Sequence, residues 1–131
     1  MIVLDSDVLV DLLDGDEATT ALLERLVEER EELATTTVNA AELVRGAGGP
    51  GRDREMVAET HELLSRLVEL PLDVRAARRF GAVMAALDRA GKAMPVVDGL
   101  VAAIALENGG RIATRNRRHY ARVPGLDVTT P

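Results

Sequence analysis

The chain contains no cysteine, so disulfide bonds and thiolate metal sites are excluded. Aromatic residues are nearly absent, and because Phe80 and Tyr120 are the only two, a core must be built from Leu, Val, Ile and Ala. There are only two histidines, His61 and His119, so a histidine-rich zinc centre is not expected. Lysine occurs once, at Lys92, and arginine supplies the other positively charged side chains.

Long apolar runs and a basic leader are also missing. No run reaches the roughly 18 apolar residues of a membrane span. The apolar start, residues 1–4, meets Asp5 at once and lacks the positive charge that opens a secretory signal. The 16 basic and 22 acidic residues give a net charge of −6, which argues against coating of nucleic acid by the whole surface but allows a local basic patch. We expect a soluble, cytoplasmic protein without a membrane partner.

The length and the hydrophobic pattern predict one α/β domain over residues 1–131. Short apolar strands alternate with helical patterns, which indicates a mainly parallel sheet of about four to five strands with helices on both faces, a three-layer sandwich. The predicted strands are 1–5, 33–37, 69–72, 111–114 and 126–130. The predicted helices are 7–14, 17–32, 38–47, 53–68, 74–90, 98–107 and 117–122.

Three acids lie inside or against apolar segments. Asp5 ends the first strand, Glu42 lies within the apolar run 38–44, and Asp98 opens the run 99–106. Ionised carboxylates are costly to remove from water unless a partner offsets the charge. Convergence of all three on one divalent cation would explain them together.

Each acid also has a simpler interpretation. Asp5 and Asp98 could be helix caps. Glu42 could pair with Arg45 one turn further along a helix. Asp7, a fourth acid nearby, could be a first-turn carboxylate that favours the helix dipole. Only the combination of acids, on elements that a parallel sheet can bring together, favours a metal site over these separate roles.

An all-carboxylate site selects a hard cation. Mg²⁺ and Mn²⁺ take oxygen ligands, usually one or two carboxylates together with waters and substrate phosphate. Such a site indicates phosphate chemistry, in which the cation lowers the pKa of a bound water and offsets charge on phosphorus.

The segment 111–122 carries five arginines and no acid in an otherwise acidic chain. Arginine forks pair well with phosphate, and Thr114 and Asn116 follow a strand end where a site would lie. The alternative is that these arginines are neutralised by the acidic helix 17–32 or by a partner protein.

These residues resemble a known family. The opening segment 2–13, the segment 41–46 around Glu42, the stretch 98–105 and the triplet 114–116 are similar in order and spacing to PIN-domain ribonucleases. The order, spacing and total length resemble the VapC-type toxins of toxin–antitoxin pairs, and the resemblance covers essentially the whole chain.

The resemblance implies a PIN-like fold, cleavage of RNA that depends on Mg²⁺ or Mn²⁺, inhibition by a cognate antitoxin, and a homodimer. It also implies that Asp5, Glu42 and Asp98 are the acidic metal ligands. Asn116 stands where many relatives have a fourth acid, and a further acid of the family is replaced here by His119.

The resulting hypothesis assigns a role to each site residue. Asp5 and Asp98 bind the cation, Glu42 orients the attacking water, and Asn116 completes the catalytic set. Thr114 helps to position the water or the phosphate. The arginines that would hold the RNA backbone, with a strong dependence on salt, are Arg115, Arg117 and Arg118.

Three rival interpretations stay open at this point. A degenerate PIN domain would bind RNA or a protein without cutting, as the departures at Asn116 and His119 suggest. A phosphatase of the haloacid-dehalogenase type would use Asp5 as nucleophile and Asp7 as general acid, but it needs a well-placed lysine and a later acidic pair. A signal-receiver domain needs an acceptor aspartate after a central strand, for which Asp73 is a weak candidate.

Overall fold

The computed structural model describes all residues from 1 to 131 and contains five strands in one sheet. The strands are β1 (Ile2–Leu4), β2 (Leu33–Thr36), β3 (Val68–Leu70), β4 (Arg111–Ala113) and β5 (Asp127–Thr129). They lie in the order β3-β2-β1-β4-β5, and every neighbouring pair is parallel. The predicted α/β class with a mainly parallel sheet is confirmed.

Seven helices connect and cover the strands, because parallel neighbours need crossover connections. They are α1 (Ser6–Leu13), α2 (Glu17–Glu28), α3 (Thr37–Ala47), α4 (Arg54–Ser65), α5 (Val74–Arg89), α6 (Val96–Glu107) and α7 (Arg117–Tyr120). Side-chain oxygens of residues just before α1 to α5 accept first-turn N–H groups, which fixes where these helices begin. None of the helices has both the length and the apolar character that crossing a membrane requires.

The sheet separates two aliphatic cores. Because successive side chains of a strand point to opposite faces, Val3 packs in one core and Ile2 and Leu4 pack in the other. The first core lies under α5 and α6, and the second lies under α1 to α4. Residues 101–105 of α6 are fully buried, as the apolar pattern of that helix predicts. The layers are therefore helix, sheet, helix.

Element ends differ from the predicted ones where a local backbone feature intervenes. α2 ends at Glu28 rather than at residue 32, and Arg30 then adopts a left-handed conformation with φ of 59° that a right-handed helix cannot contain. α6 begins at Val96, directly after Pro95, so Asp98 lies in the first turn and is not the cap. α4 ends at Ser65, since the following residues enter β3.

Candidate active site

Polar side chains collect at the carboxyl edge of the sheet, between β1 and β4. The strand order reverses there: β2 and β3 extend the sheet on one side of β1, whereas β4 and β5 extend it on the other side. Ligand sites of open parallel sheets lie outside the carboxyl ends of the strands at such a point. Asp5 directly follows β1 and Thr114 directly follows β4, and both side chains are buried. The topology thus brings together residues that are far apart in sequence.

Three donors hold the Asp5 carboxylate. Its Oδ1 accepts from the backbone N–H of Ser6 at 2.9 Å and from Asn39 Nδ2 at 2.8 Å, and its Oδ2 accepts from Thr114 Oγ1 at 2.8 Å. Asn39 is itself held, because its Oδ1 accepts from Thr36 Oγ1 at 2.7 Å. Asp5 therefore caps α1, as the simpler interpretation predicts, and it is also the centre of a side-chain network.

Burial makes the anionic form of Asp5 unfavourable. The residue is only 8% exposed, and the pKa of its carboxyl is raised to about 6, with burial as the largest cause. The charge of Asp7 contributes to this rise, whereas the hydrogen bonds from Thr114 and Ser6 oppose it. At neutral pH Asp5 is an anion close to a second anion, an arrangement that a nearby cation would favour.

Asp7 faces the same site from the first turn of α1. Its Oδ2 accepts from the backbone N–H of Arg115 at 3.0 Å and lies 3.2 Å from Thr114 Oγ1. Thr114 has a single hydroxyl proton, so at any moment it donates to Asp5 or to Asp7. The other carboxylate oxygen of Asp7, Oδ1, is buried and has no hydrogen-bond partner. Such atoms are rare in folded proteins, and this one is a hard oxygen available to a cation.

Asp98 forms a second group with Asn116 and His119. Its Oδ2 lies 2.6 Å from His119 Nδ1 and 3.4 Å from Asn116 Nδ2. Asn116 Nδ2 in turn lies 2.7 Å from His119 Nδ1. The ring nitrogen cannot donate to Asp98 and accept from Asn116 at once, so each tautomer makes only one of these two bonds. The two residues that depart from the family pattern thus both contact the predicted ligand Asp98.

Glu42 is exposed on α3 and joins the site through Ser6. Ser6 Oγ donates to Glu42 Oε2 at 2.6 Å and accepts from Asn39 Nδ2 at 2.9 Å. Because Asn39 also donates to Asp5, a continuous chain of hydrogen bonds links Glu42 to Asp5. The partner of Glu42 is therefore Ser6 and not Arg45.

Tyr120 lies fully buried beside these acids. Its hydroxyl has no hydrogen-bond partner, and burial together with the charges of Asp5 and Asp98 raises its pKa well above the usual range. Tyr120 is therefore a neutral group close to the carboxylates, and it adds no charge to the site.

Asp5, Glu42 and Asp98, the three predicted metal ligands, do not gather into one cluster. No group of three His, Cys, Asp or Glu side chains is placed to hold a metal ion. Hydrogen bonds link the three acids instead. Ser6 and Asn39 link Glu42 to Asp5, and Thr114 and Asn116 link Asp5 to Asp98.

The donor chemistry nevertheless fits a hard cation. Asp5, Asp7 and Asp98 offer carboxylate oxygens only, and Asp7 Oδ1 is unpaired. Mg²⁺ commonly uses one or two protein carboxylates and keeps water in its other positions. The site therefore suits an ion held in that way and does not form a closed cage of three carboxylates.

Asp7 and Asn39 belong to the site, although the sequence hypothesis does not include them. For Asp7 the simpler interpretation is a first-turn carboxylate, yet its position two residues after Asp5, at a strand-to-helix turn, is an available signal. Asn39 gave no signal, because its contact with Asp5 spans 34 positions and depends on the pairing of β1 with β2.

The arginines of segment 111–122 have different surroundings. Arg111 Nη1 pairs with Glu31 at 2.5 Å, and Arg115 pairs with Asp11 and Asp16, so the acidic neighbours of these two neutralise them. Arg117 Nη1 donates to the Val128 carbonyl at 2.9 Å. Arg118 is exposed and makes no salt bridge. The predicted alternative, neutralisation by the segment 17–32, therefore holds for Arg111 through Glu31, whereas the partners of Arg115 lie before that segment.

Comparison with known protein sequences finds the same family by two routes. A family model described as PIN domain matches residues 2–126. The VapC ribonuclease Y4jK of Sinorhizobium fredii is 33% identical over 139 residues, which cover 100% of this chain and 97% of that protein. The tRNA(fMet)-specific endonuclease VapC of Salmonella typhimurium is 28% identical and covers 80% of each.

The fold also has counterparts among solved structures. VapBC2 from Rickettsia felis, bound to a DNA fragment from its promoter, aligns with a TM-score of 0.91. The alignment covers 100% of this chain and 99% of that chain at 21% identity, so it concerns the fold alone. The parallel sheet and the flanking helices are thus those of the PIN-like fold.

Proposed function

This chain belongs to the PIN domain family, and we propose that it is an endoribonuclease dependent on Mg²⁺ or Mn²⁺, the toxin of a type II toxin–antitoxin pair. The observation that carries the proposal is the buried Asp5 carboxylate at the reversal of strand order, next to a second carboxylate with an unpaired oxygen. The full-length similarity to a ribonuclease supports hydrolysis of RNA phosphodiester bonds as the reaction.

Asp5 and Asp98 are the residues that would hold the cation, directly or through water, and Asp7 Oδ1 is a further oxygen within the same site. A bound Mg²⁺ or Mn²⁺ would supply a water of lowered pKa and offset negative charge on the phosphate. The carbonyl oxygen of Asn116 would be an uncharged ligand atom at the position where many relatives carry an acid. One negative charge fewer weakens the affinity for the cation without removing the site.

The remaining groups of the chain position the reactants. Ser6 holds one oxygen of Glu42, which leaves the other free to accept a hydrogen bond from the attacking water. Thr114 donates to Asp5 and so keeps that carboxylate oriented. Asn116 Nδ2 is an amide donor beside Asp98 that can bind a phosphate oxygen.

Arg117 and Arg118 are the arginines proposed to contact the RNA backbone. Both are exposed and lie on α7, next to Asn116. Arg115, which the sequence hypothesis grouped with them, already makes salt bridges to Asp11 and Asp16. We therefore restrict the phosphate contact to the two α7 arginines.

The proposed partners follow the named relatives. We propose that a cognate antitoxin inhibits this chain and that both act in the cytoplasm; the VapC and VapBC proteins that resemble the chain support such a partner. Initiator tRNA, named for one VapC relative, is a first substrate to assay. A homodimer, which the resemblance implies, stays a prediction. Light scattering after size exclusion tests it: a mass close to twice 14.1 kDa would agree with it, and a mass close to 14.1 kDa would contradict it.

The experiment that tests this function is RNA cleavage by the purified protein. Initiator tRNA and total cellular RNA are incubated with it in Mg²⁺, in Mn²⁺ and in EDTA. We expect cleavage in either cation, none in EDTA, and a loss on the order of ten- to a hundredfold or more in Asp5→Asn and Asp98→Asn. Asp88→Asn, an exposed aspartate of α5, is the matched control and should keep full activity.

Other results would point elsewhere. Wild-type protein that binds RNA but neither cleaves it nor binds Mn²⁺ in calorimetry would be a degenerate PIN domain. Cleavage by Asp98→Asn at the parent rate would refute the assigned mechanism. A phosphoryl group trapped on Asp5 would indicate a phosphatase.

A further inference from the structure

Arg115 joins two helices to the loop that follows β4. Its Nε donates to Asp11 Oδ2 at 2.5 Å, and its Nη2 donates to Asp16 Oδ2 at 2.6 Å and to Thr19 Oγ1 at 3.2 Å. Asp11 lies in α1, Asp16 caps α2 and Thr19 lies in α2. A single guanidinium therefore contacts both helices.

The loop that carries Arg115 contacts the three aspartates of the site. The Arg115 backbone N–H donates to Asp7, Thr114 donates to Asp5, and Asn116 lies next to Asp98. The Asn116 N–H also donates to Thr114 Oγ1 at 3.0 Å. Residues 114–116 thus contact the acids, while the side chain of the middle residue contacts α1 and the start of α2.

The positive charge of Arg115 is neutralised by carboxylates of the protein itself. Two carboxylates, Asp11 and Asp16, share its guanidinium, and the hydrogen bond to Asp11 is the largest cause of a raised Arg115 pKa. The Asp16 pKa is lowered, first by the Thr19 N–H that it accepts as helix cap and also by Arg115. Arg115 is therefore permanently charged and already paired.

The geometry of this contact favours a local role. Arg115, Asp11 and Asp16 are 40%, 30% and 37% exposed, and exposed ion pairs contribute little to overall stability. A planar fork held by carboxylates on two elements instead restricts orientation, which is the particular property of arginine. Loss of the fork should therefore loosen the loop without unfolding the domain.

We propose that Arg115 is a positioning residue that clamps residues 114–116 against α1 and α2 and so aligns Asp7, Thr114 and Asn116 for RNA cleavage. This inference rests on the proposed ribonuclease function. It assigns to Arg115 a role different from that of Arg117 and Arg118, since its guanidinium acts on the protein and not on the substrate.

Kinetics of Arg115→Met and Arg115→Lys test the proposal. We expect kcat to fall by roughly ten- to a hundredfold in Arg115→Met, because small misplacements at a site have effects of that size, with KM for RNA near the parent value. Arg115→Lys should be intermediate, since one ammonium cannot form the fork. The salt slope of RNA binding should stay unchanged, whereas Arg118→Met should reduce it by about one phosphate contact.

The partner carboxylates give a second route that leaves the loop sequence intact. Asp11→Asn combined with Asp16→Asn keeps the shape of both side chains, and Asn still caps α2. This double variant should reproduce the fall in kcat, and adding Arg115→Met to it should cause little further loss. An unchanged kcat in the double variant would overturn the proposal even if Arg115→Met does not fold.

Amide hydrogen exchange separates failure of the clamp from failure of the proposed function. The N–H groups of Arg115 and Asn116, which donate to Asp7 and Thr114, should exchange faster in Arg115→Met whether or not RNA is cleaved. Parent protein without RNA cleavage would count against the ribonuclease function alone. If the amides of Arg115→Met exchange at the rates of the parent, or if this variant has a raised KM and a reduced salt slope, then Arg115 does not clamp the loop.

Discussion

At the residue scale, the central feature is a carboxylate placed where its charge is unfavourable. Asp5 is buried beside Asp7, and its three hydrogen bonds only partly offset the cost. A protein without a use for this anion would be more stable with a neutral side chain there. The arrangement is understandable if the charge is needed for a cation.

The first prediction concerns pH and the metal-free protein. The folded-state pKa of Asp5, about 6, lies above the ordinary value of 3.8, so the folded state binds the proton more tightly than the unfolded state. Its stabilising contribution is complete below pH 3.8 and is lost as the pH rises through 6. The expected loss is on the order of 2–3 kcal/mol.

Urea unfolding in EDTA at several pH values measures this loss as the difference in unfolding free energy between parent and Asp5→Asn. The unfolding free energy of the parent should fall relative to that of Asp5→Asn as the pH rises from 3.8 to about 6. Saturating Mn²⁺ at neutral pH should then raise the unfolding free energy of the parent only. A difference that stays flat with pH would contradict the burial of Asp5.

The second prediction concerns Thr114. In Thr114→Val the Asp5 carboxylate loses a donor and the Asn116 N–H loses its acceptor. We expect a loss of about 1–3 kcal/mol in unfolding free energy and a large loss of cleavage. Thr35→Val is the control, because Thr35 is equally buried but donates to the backbone carbonyl of Leu4. It should lose stability and keep its activity; equal activity losses in both variants would refute a specific role for Thr114.

The sequence predicts the types of the site residues better than their contacts. Asp5, Thr114 and Asn116 could be placed at strand ends because apolar runs stop beside them. The salt bridges of Arg115 could not be predicted, since Asp11 and Asp16 lie about a hundred positions away and approach it only after the sheet has formed. The charge of Arg115 alone predicts contact with a phosphate group, whereas its neighbours in the structure show contacts within the protein.

At the element scale, α6 brings Asp98 to the site by packing closely against α5. A Cβ atom on Gly99 would lie 2.6 Å from Met84 Sδ and 3.0 Å from Phe80 Cε2. The close approach of the two helices therefore depends on the missing side chain directly after Asp98. This is a packing reason for a glycine in the interior of a helix, where glycine is otherwise unfavourable.

The third prediction compares two glycine substitutions. Gly81→Ala, in the exposed interior of α5 with no atom within 4 Å of the new methyl group, should increase the unfolding free energy by roughly 0.5–1 kcal/mol. Gly99→Ala has the same gain in helix propensity, but the ends of the Met84 and Phe80 side chains must shift, so its unfolding free energy should lie about 1–3 kcal/mol below that of Gly81→Ala. Thermal and urea unfolding measure both, and equal changes in the two variants would contradict the packing described for α6.

The existence and order of the elements were predictable from periodicity, but several ends were not. The acidic run after α2 continues a helical composition, so only the left-handed conformation at Arg30 reveals that the helix has stopped. The start of α6 is set by Pro95, and the apolar pattern alone does not predict this start. Ends are decided by single backbone conformations, whereas the interiors are decided by many residues together.

At the scale of the whole molecule, function follows from the topology of one sheet. Alternating strands and helices predict parallel pairing, but strands of three or four residues with similar composition carry no information about their order. The order determines that β1 and β4 are neighbours and that the acids of residues 5, 7 and 98 lie at one edge. Without the strand order, the sequence gives the convergence of the acids only as a hypothesis. In the structure, hydrogen bonds link the acids, but no three of them form a cluster of metal ligands.

The most direct test of the account is anomalous diffraction from crystals of the protein soaked in Mn²⁺, with the position of the cation as the single readout. The account predicts one strong peak at the carboxyl edge between β1 and β4, within bonding distance of the Asp5 carboxylate and absent in Asp5→Asn crystals. A parent crystal that diffracts well and shows no peak there, or shows its peak on other residues, would contradict it.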